Sequence, residues 1–413
     1  GDTDQFLDFT TEFGGEQLTS SKPMGKVISN STLSFANTVI KFNFDTLMFA
    51  SGADSLITSG DYLQEAVIIK EAAKTAGFLN VTQSNNAYFH DVIIAGNIID
   101  LNGTFQYTSP MEFAGHVMVE GILQNYSSGN YSATITGDIT NNGEIKDNFY
   151  NCYLNVTGDI NQNGIWTNED VYLTGDSDQH FAFTTTFEAL SLTSNKTGGK
   201  VMANTSLPFN NTWIDFNYDT LMFAAGADSL LLSDKYLQEA VIMKEASKTA
   251  GFLNISHSNG AYMHDVIIEG STIDINGTFQ YTAPMEFIGN VVVEGILQNF
   301  PSGSYSATIT GDVTNNGTIR NMTYNNSLYI TGNISQNGIW SNYYNYLTGT
   351  STQNLSSTSP FTCNRIVDND PASAVQANSD LSFENADVDL NGATLMVADN
   401  YMITFTDSWL FDA

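Results

Sequence analysis

Histidine precedes aspartate twice in the chain, at His90 and His264, in the segments AYFHDVII and AYMHDVII. A histidine beside a carboxylate can act as a general base. Adjacent residues of a strand point to opposite faces, however, so a direct contact between the two side chains is poor geometry. We therefore interpret both histidines as structural, and the sequence contains no Gly-x-Ser-x-Gly nucleophile motif.

Three pairs of acidic residues recur at equivalent positions of two similar stretches of the chain. Paired carboxylates are the acid and base of glycoside hydrolases, which would make the chain a polysaccharide-degrading enzyme. Such a site needs a cleft of unlike residues, and cleavage of polyuronates also needs Lys or Arg, of which there are only 13. We therefore predict no enzyme and no catalytic residue, with polysaccharide cleavage as the less favoured alternative. The pairs are Glu112 with Glu286, Glu120 with Glu294, and Asp100 with Asp274.

Oxygen ligands for calcium occur in three places. DVDLNG, which begins at Asp387, matches the start of a calcium loop, but position 12 is Ala398, which cannot supply the bidentate carboxylate. Asparagine at β-helix corners more often bonds to its neighbours in stacked ladders. We therefore predict no cofactor and no metal site, and calcium remains the open alternative. The other two candidate groups are Asp138 with Asn141 and Asn142, and Asp312 with Asn315 and Asn316.

Asparagine also occurs in 16 Asn-x-Ser/Thr sequons, the acceptor pattern for N-glycosylation of secreted proteins. Asn-rich corners beside Thr-rich strands generate the same pattern from composition alone, so both interpretations stay open. The candidate acceptors are Asn30, Asn80, Asn102, Asn125, Asn130, Asn155, Asn195, Asn204, Asn210, Asn254, Asn276, Asn316, Asn321, Asn325, Asn333 and Asn354.

The strands that position these residues belong to an internal sequence repeat. When the sequence is aligned with itself at a constant offset, Gly1 matches Gly175 and no gap is needed. FNFDTLMFASGADSL begins at Phe42, and FNYDTLMFAAGADSL begins at Phe216. A third copy starts in the same register and diverges after Val397. We therefore divide the chain into a first repeat unit (1–174), a second unit (175–354) and a partial third unit (355–413).

Each unit contains a second, shorter period that is marked by glycine. GNIIDLNG, GHVMVEG, GDITNNG and GDINQNG begin at Gly96, Gly115, Gly137 and Gly158. Short β-branched runs between the glycines suit strands, and the Asn-Gly pairs are expected to supply the positive φ of tight corners. A period of about 20 residues fits one coil of a parallel β-solenoid. An antiparallel sandwich would place its turn signals at about half that spacing. We therefore predict an all-β parallel β-helix.

One segment of each unit departs from this pattern. Tyr62, Ala66, Ile69, Ala73 and Ala76 recur at helical spacing, and Lys70 and other polar residues lie away from that stripe. Asp61 can cap the start of a helix and Gly77 can close its end. The second copy keeps the stripe from Tyr236 to Ala250. We therefore expect one short helix in each unit.

The coils GDITNNGEI, beginning at Gly137, and VTGDINQNGIW, beginning at Val156, resemble the parallel β-helices of secreted bacterial surface proteins and adhesins. The resemblance covers roughly residues 90–175 and 264–349. It implies the β-helix fold and an extracellular, cell-surface setting, and it transfers no functional residue.

Charge excludes two classes of partner. The chain has 44 acidic and 13 basic residues, a formal net charge of −31, and only Arg320 and Arg365 carry a guanidinium. A surface that neutralises phosphates cannot be built from this set, so we expect no nucleic acid partner and no binding to an anionic membrane. No apolar run is long enough for a membrane helix, so we expect no membrane insertion. The two cysteines, Cys152 and Cys363, are too few for a disulfide scaffold.

The incomplete third unit suggests a function. A solenoid whose terminal coil is uncapped exposes strand edges and apolar core. We expect the last partial unit to meet the first unit of another copy head to tail, which would make the chain a non-enzymatic structural protein of a filament, fibril or surface layer. The residues expected to form this contact are Tyr401, Ile403, Phe405, Trp409, Leu410 and Phe411.

The alternative is an adhesin fragment that binds carbohydrate or a surface. It would use exposed aromatic residues at the corners, with Trp166, Trp340, Tyr343 and Tyr344 as candidates. Packing in the core explains the two tryptophans more readily than stacking on a sugar.

Overall fold

The computed structural model describes residues 3–22, 24–60, 62–71, 77–245, 252–282 and 284–412. Parallel strands wind through about 19 turns of a β-solenoid. The chain divides into two compact units, Gly1–Lys200 and Val201–Ala413. The prediction of an all-β parallel β-helix is confirmed. A solenoid repeat has no fixed starting point, so the sequence boundary after residue 174 and the unit boundary after Lys200 mark different points of one period.

The described residues of the first compact unit form 21 strands. They are β1 Gln5–Leu7, β2 Phe13–Gly14, β3 Gln17–Thr19, β4 Val27–Ser29, β5 Leu33–Ala36, β6 Val39–Lys41, β7 Thr46–Phe49, β8 Ser55–Ser59, β9 Tyr62–Lys70, β10 Phe78–Ser84, β11 Tyr88–Val119, β12 Ile122–Asn125, β13 Tyr131–Ile135, β14 Ile139–Asn141, β15 Glu144–Lys146, β16 Cys152–Val156, β17 Ile160–Gln162, β18 Ile165–Thr167, β19 Asp170–Leu173, β20 Gln179–Phe183 and β21 Ser191–Ser194.

The described residues of the second compact unit form a further 25 strands, β22 to β46. They are β22 Val201–Ala203, β23 Leu207–Asn210, β24 Trp213–Asp215, β25 Thr220–Phe223, β26 Ser229–Ser233, β27 Tyr236–Lys244, β28 Phe252–Ser258, β29 Tyr262–Tyr281, β30 Met285–Val293, β31 Ile296–Asn299, β32 Tyr305–Ile309, β33 Val313–Asn315, β34 Thr318–Arg320, β35 Asn326–Ile330, β36 Ile334–Gln336, β37 Ile339–Ser341, β38 Tyr344–Leu347, β39 Gln353–Ser357, β40 Arg365–Asp368, β41 Ala374–Ala377, β42 Leu381–Glu384, β43 Asp387–Asp389, β44 Thr394–Val397, β45 Ile403–Thr406 and β46 Leu410–Phe411.

Strands pair with the strand one turn later, in parallel register. Ile139 of β14 lies beside Ile160 of β17, and Val313 lies beside Ile334 at the equivalent place of the second unit. Side chains alternate between the interior and the outer surface along each strand. In each compact unit the inward positions are filled mainly by buried aliphatic and aromatic side chains.

The prediction of one short helix in each unit is wrong, because the described residues contain no helix. Tyr62–Lys70 and Tyr236–Lys244 are the strands β9 and β27. The predicted stripe is not one face of the strand, because Ala66 is buried whereas Tyr62 and Ile69 are half-buried on the outer surface. Glu65 has a φ of 52°, and the alternation between the two faces resumes after Ala66. Asp61 and residues 72–76 and 246–251 of the expected helices lie outside the described residues.

Lys70, expected on the exposed side of that helix, is buried instead. Its Nζ donates hydrogen bonds to the backbone oxygens of Ala50 (2.7 Å) and Ala53 (2.9 Å) and to Oδ1 of Asp54 (2.7 Å). Lys244 makes the equivalent contacts in the second unit. A lysine can be buried here because all three of its donors have partners.

The Asn-Gly corners differ in part from the prediction. Gly103 and Gly277 have φ of 68° and 65°, as expected for tight corners. Gly143 has no such φ; a Cβ there would lie 2.0 Å from the backbone oxygen of Gly121 on the preceding turn. At Gly143, glycine is needed because two backbones approach closely.

We find no helix in the described part of the chain that is long and apolar enough to span a bilayer.

Candidate functional site

The turn formed by β45 and β46 contains the residues predicted to mediate assembly. β45 pairs in parallel with β42, placing Phe405 beside Phe383, and β46 pairs with β43, placing Leu410 beside Val388. Among the described residues, β45 and β46 are the last strands of the solenoid.

A stack of aromatic rings runs through the interior and reaches this turn. Phe361 and Phe383 stack with their centroids 5.5 Å apart, and Phe383 and Phe405 stack at 5.2 Å. Trp340 lies 5.7 Å from Phe361 at the other end of the stack. Phe361 and Phe383 are buried, whereas Phe405 is half-buried because no ring covers its second face among the described residues.

The other predicted assembly residues surround Phe405 in the same turn. Trp409 is 68% exposed, and the guanidinium of Arg365 lies 5.6 Å from the ring of Phe411. This turn therefore presents an apolar surface to solvent. Its members are the half-buried Ile403 and Phe405 and the exposed Tyr401, Trp409, Leu410 and Phe411.

The first described turn lies in the other compact unit. A cavity of about 60 Å³ is lined there by Leu7, Leu18, Val27 and Phe42. Phe6 beside it is 64% exposed. Apolar side chains are thus accessible at the first described turn and at the last.

The glycosylation candidates differ in accessibility. Asn125 is fully buried, and its Nδ2 donates to the backbone oxygens of Gly129 (3.1 Å) and Tyr150 (2.6 Å), so a glycan on that nitrogen would have to displace interior contacts. Nine other acceptors are partly buried. The exposed acceptors are Asn30, Asn130, Asn195, Asn204, Asn316 and Asn325.

Glu120 and Glu294 each begin a ladder of polar side chains on the outer surface. Glu120 accepts a hydrogen bond from Asn142 (2.7 Å), Asn142 accepts one from Asn163 (3.0 Å), and Asn163 accepts one from Thr184 (2.9 Å). The ladder that begins at Glu294 continues through Asn316, Asn337 and Thr358. Both carboxylates therefore have structural partners on adjacent turns.

Asp100 is packed between two asparagines. Its Oδ2 accepts hydrogen bonds from Nδ2 of Asn80 (3.1 Å) and of Asn102 (2.8 Å). Burial raises the pKa of Asp100, and the charge of Glu120 adds to the increase. Burial and Glu294 likewise raise the pKa of Asp274, which accepts from Asn276 (2.7 Å). The remaining carboxylates of the predicted pairs, Glu112 and Glu286, are half-buried on outward positions.

The histidines that precede aspartate contact neighbours on other turns. Nδ1 of His90 lies 2.5 Å from Oγ1 of Thr108, and His264 has the same contact with Thr282. Asp265 accepts a hydrogen bond from the hydroxyl of Tyr218 (2.6 Å). The geometry thus agrees with the interpretation that neither histidine uses the adjacent aspartate.

The candidate calcium ligands point in different directions. Asn141 faces the interior, where its Nδ2 donates to Gln162 (2.9 Å), while Asn142 belongs to the outer ladder. Asn315 and Asn316 repeat this division. In the DVDLNG segment, Asp389 pairs with Arg365 at 2.7 Å and Asp387 accepts from the backbone N–H of Trp409. Among the described residues, no group of three His, Cys, Asp or Glu side chains is arranged to hold a metal ion.

The two corner tryptophans lie in the interior. Trp166 and Trp340 are each 1% exposed, and Nε1 of Trp340 donates to Asn342 (2.7 Å). Tyr343 and Tyr344 are half-buried and contact each other edge to face at 4.6 Å. The tryptophans therefore cannot stack on a sugar without unfolding of their turns.

Both cysteines are buried free thiols. Cys152 shares a hydrogen bond of 2.6 Å with the hydroxyl of Tyr107, and burial raises the pKa of its thiol to about 12. In the second unit Asn326 occupies the place of Cys152 and accepts from Tyr281. Burial also raises the pKa of Cys363 to about 12. Both thiols are therefore protonated at neutral pH and are poor nucleophiles.

A column of tyrosines on the outer surface was not predicted from the sequence. Tyr62 and Tyr88 stack with their centroids 5.6 Å apart, and Tyr88 and Tyr126 approach to 4.2 Å. The sequence contained one signal for this column. Aromatic residues recur at outward positions of neighbouring turns in both repeat units, so the register of the turns places them side by side.

Comparisons with known proteins gave no match to a family model, a curated protein or a solved structure.

Proposed function

We propose that the chain is a non-enzymatic, extracellular structural protein that assembles head to tail, through its terminal turns, into a filament, fibril or surface layer. The observation that carries this proposal is the interior stack of phenylalanines that continues to Phe405, where one ring face is uncovered. A ring of another copy on that face would continue the stack.

Two further features support this contact. An open solenoid edge is completed by one more turn, whether that turn comes from the same polypeptide or from another molecule, because the new strand satisfies the free backbone groups. The apolar side chains around Phe405 would leave water at the same time. The open cavity lined by Leu7, Leu18 and Phe42 offers apolar surface for the opposite side of such a contact.

Hydrogen bonds between polar side chains of neighbouring turns also support a structural role. Glu120 and Glu294 bond to asparagines of the next turn, and Asp100 is enclosed by asparagine side chains. These contacts tie neighbouring turns together, which favours a stiff surface. An extracellular location agrees with the resemblance of the coils to secreted surface β-helices.

Sedimentation velocity over a range of protein concentrations tests the proposal, with enough salt to screen the net charge of −31. We expect the wild-type chain to form polymers that grow with concentration. Phe405→Asp would bury an unpaired charge in the contact, at a cost of about 3 kcal/mol or more, and should weaken association at least about a hundredfold.

Phe149→Asp is the matched control, because Phe149 is 83% exposed and lies outside both terminal turns. It should assemble like wild type, and circular dichroism should show that both variants keep the β-structure. The proposal is wrong if wild type stays monomeric at every concentration, or if folded Phe405→Asp polymerises as wild type does.

A further inference from the structure

One asparagine–glycine pair of the chain lies at an exposed turn outside the strands. Asn259 and Gly260 connect β28 to β29, and both residues are exposed. Their φ angles are 51° and 82°, so both adopt the left-handed conformation. Nothing lies within 4 Å of a Cβ built on Gly260. The turn is therefore accessible to water and uncrowded, and local changes of conformation cost least at such places.

An asparagine that is followed by glycine can modify itself. The backbone nitrogen of the glycine attacks Cγ of the asparagine, the C–N bond of the side-chain amide breaks, and ammonia leaves with the proton of the attacking nitrogen. Water then opens the resulting succinimide ring and gives aspartate or isoaspartate. Glycine favours the attack because it has no Cβ to obstruct the approach and reaches more backbone angles than other residues. Water is the only co-reactant.

The sequence contains eight Asn-Gly pairs, which differ in what holds the glycine nitrogen. Five of these glycines donate their N–H to a backbone oxygen of an adjacent turn at 2.6 to 2.9 Å, and a hydrogen-bonded N–H keeps its proton and its place. Gly103 and Gly277 lie inside parallel ladders. In the described part of the chain, the nitrogen of Gly260 has no hydrogen-bond partner. The five bonded glycines are Gly143, Gly164, Gly317, Gly338 and Gly392.

The first unit contains the same turn without the glycine. Asn85 and Asn259 have φ angles of 52° and 51°. The Nδ2 of each donates to a serine hydroxyl of the preceding turn, at 2.7 Å and 2.9 Å. The residue that follows is Asn86 in the first unit, with a φ of 60°, and Gly260 in the second. The two turns therefore share the geometry of the asparagine and differ at the residue whose nitrogen attacks.

We propose that Asn259 is a site of spontaneous deamidation, which converts this turn of the second unit to aspartate or isoaspartate while Asn85 and the hydrogen-bonded Asn-Gly pairs stay intact. The inference is independent of the proposed assembly, because Asn259 belongs to neither terminal turn. Deamidation replaces the Nδ2 donor by a negatively charged oxygen opposite Oγ of Ser233, which lies 3.2 Å from Oδ2 of Asp234. Two carboxylates then lie near one serine, and the contact between the two turns should weaken.

Incubation of the purified 413-residue chain at mildly alkaline pH, followed by peptide mass spectrometry, tests the proposal. Alkaline pH accelerates the reaction because it increases the small fraction of deprotonated backbone nitrogen. We expect the peptide that contains Asn259 to gain the mass difference between an amide and a carboxyl group, and to separate into an aspartate and an isoaspartate form. Peptides with hydrogen-bonded Asn-Gly pairs should convert at least about tenfold more slowly, because their turns must first open locally.

Two substitutions exchange the turns of the two units and are the matched controls. Gly260→Asn gives the second unit the residue of the first, and Asn259 should then convert at least about tenfold more slowly than in wild type. Asn86→Gly should create a second modified position, at Asn85. Circular dichroism should show that both variants keep the β-structure. In urea, where the turns are unfolded, the difference between the Asn-Gly pairs should disappear.

The proposal is overturned if Asn259 stays unmodified in the folded chain while the urea-unfolded chain deamidates at its Asn-Gly pairs. It is also overturned if the folded wild type converts Asn142 or Asn163 as fast as Asn259, or if folded Gly260→Asn converts at the wild-type rate.

Discussion

At the scale of single residues, His257 of the second unit can be compared with the residue at the equivalent position of the first unit. This side chain is buried, stacks on Phe279 at 4.4 Å, and accepts a hydrogen bond from the backbone N–H of Gln280 (3.3 Å). Burial lowers the pKa of His257 to about 3. In the first unit Gln83 occupies this position and accepts the equivalent bond from Gln106 (2.6 Å).

His257 should make the stability of the second unit depend on pH. Between the ordinary histidine pKa of about 6.5 and about 3, the unfolded chain binds a proton that the folded chain does not, so stability falls as the pH falls. We expect His257→Gln to remove this dependence, about 1.4 kcal/mol per pH unit within the window.

Urea unfolding at several pH values measures the free energy of unfolding of wild type and of His257→Gln. Taking the difference between the two free energies removes the contribution of the carboxylates, which both proteins share. This difference should be constant above about pH 7 and grow toward lower pH. A difference that stays constant down to about pH 4 would show that His257 is protonated in the folded protein.

The sequence could predict the stacking and the faces of some polar residues but not their partners. It indicated that asparagines bond to their neighbours in ladders at the corners, and alternation along β14 places Asn141 inward and Asn142 outward. The individual hydrogen bonds could not be predicted, because they depend on side-chain conformations that a sequence pattern does not give.

At the scale of elements, close approach between turns explains the regular glycines. A Cβ at Gly143 would lie 2.0 Å from the backbone oxygen of Gly121, and a Cβ at Gly164 would lie 2.0 Å from that of Gly143. No side chain can move aside to relieve such a contact, because the obstructing atom belongs to the backbone. The spacing between stacked turns therefore depends on these glycines.

Gly143→Ala should consequently lower the free energy of unfolding by about 2 kcal/mol or more, since the strands must separate locally. Gly52→Ala is the matched control, because nothing lies within 4 Å of a Cβ at that position. The control should be neutral or slightly stabilising. Urea midpoints followed by circular dichroism would measure both effects, and equal midpoints for the two variants would contradict this explanation.

Strand type was predictable from the sequence, whereas one strand of each unit was mistaken for a helix. The period of about 20 residues led to the parallel solenoid because each coil must return to the same side of the sheet. Tyr62–Lys70 misled the prediction because small and apolar residues happen to recur at helical spacing, although in the strand Ala66 faces inward while Tyr62 and Ile69 face outward. The positive φ of Glu65 hides the alternation that would have indicated a strand, and Glu is not a residue type that signals a positive φ.

At the scale of the whole molecule, the proposed assembly would use the turn around Phe405, where the interior stack of phenylalanines reaches a half-buried ring. The column of tyrosines on the outer surface could not be predicted from the sequence, because it requires residues far apart in the chain to be placed side by side by the register of the turns.

Head-to-tail assembly can be tested by negative-stain electron microscopy of the purified 413-residue chain at two concentrations. We expect uniform filaments with a constant axial repeat, which become longer or more numerous at the higher concentration. Isolated particles of one size at both concentrations would contradict head-to-tail assembly.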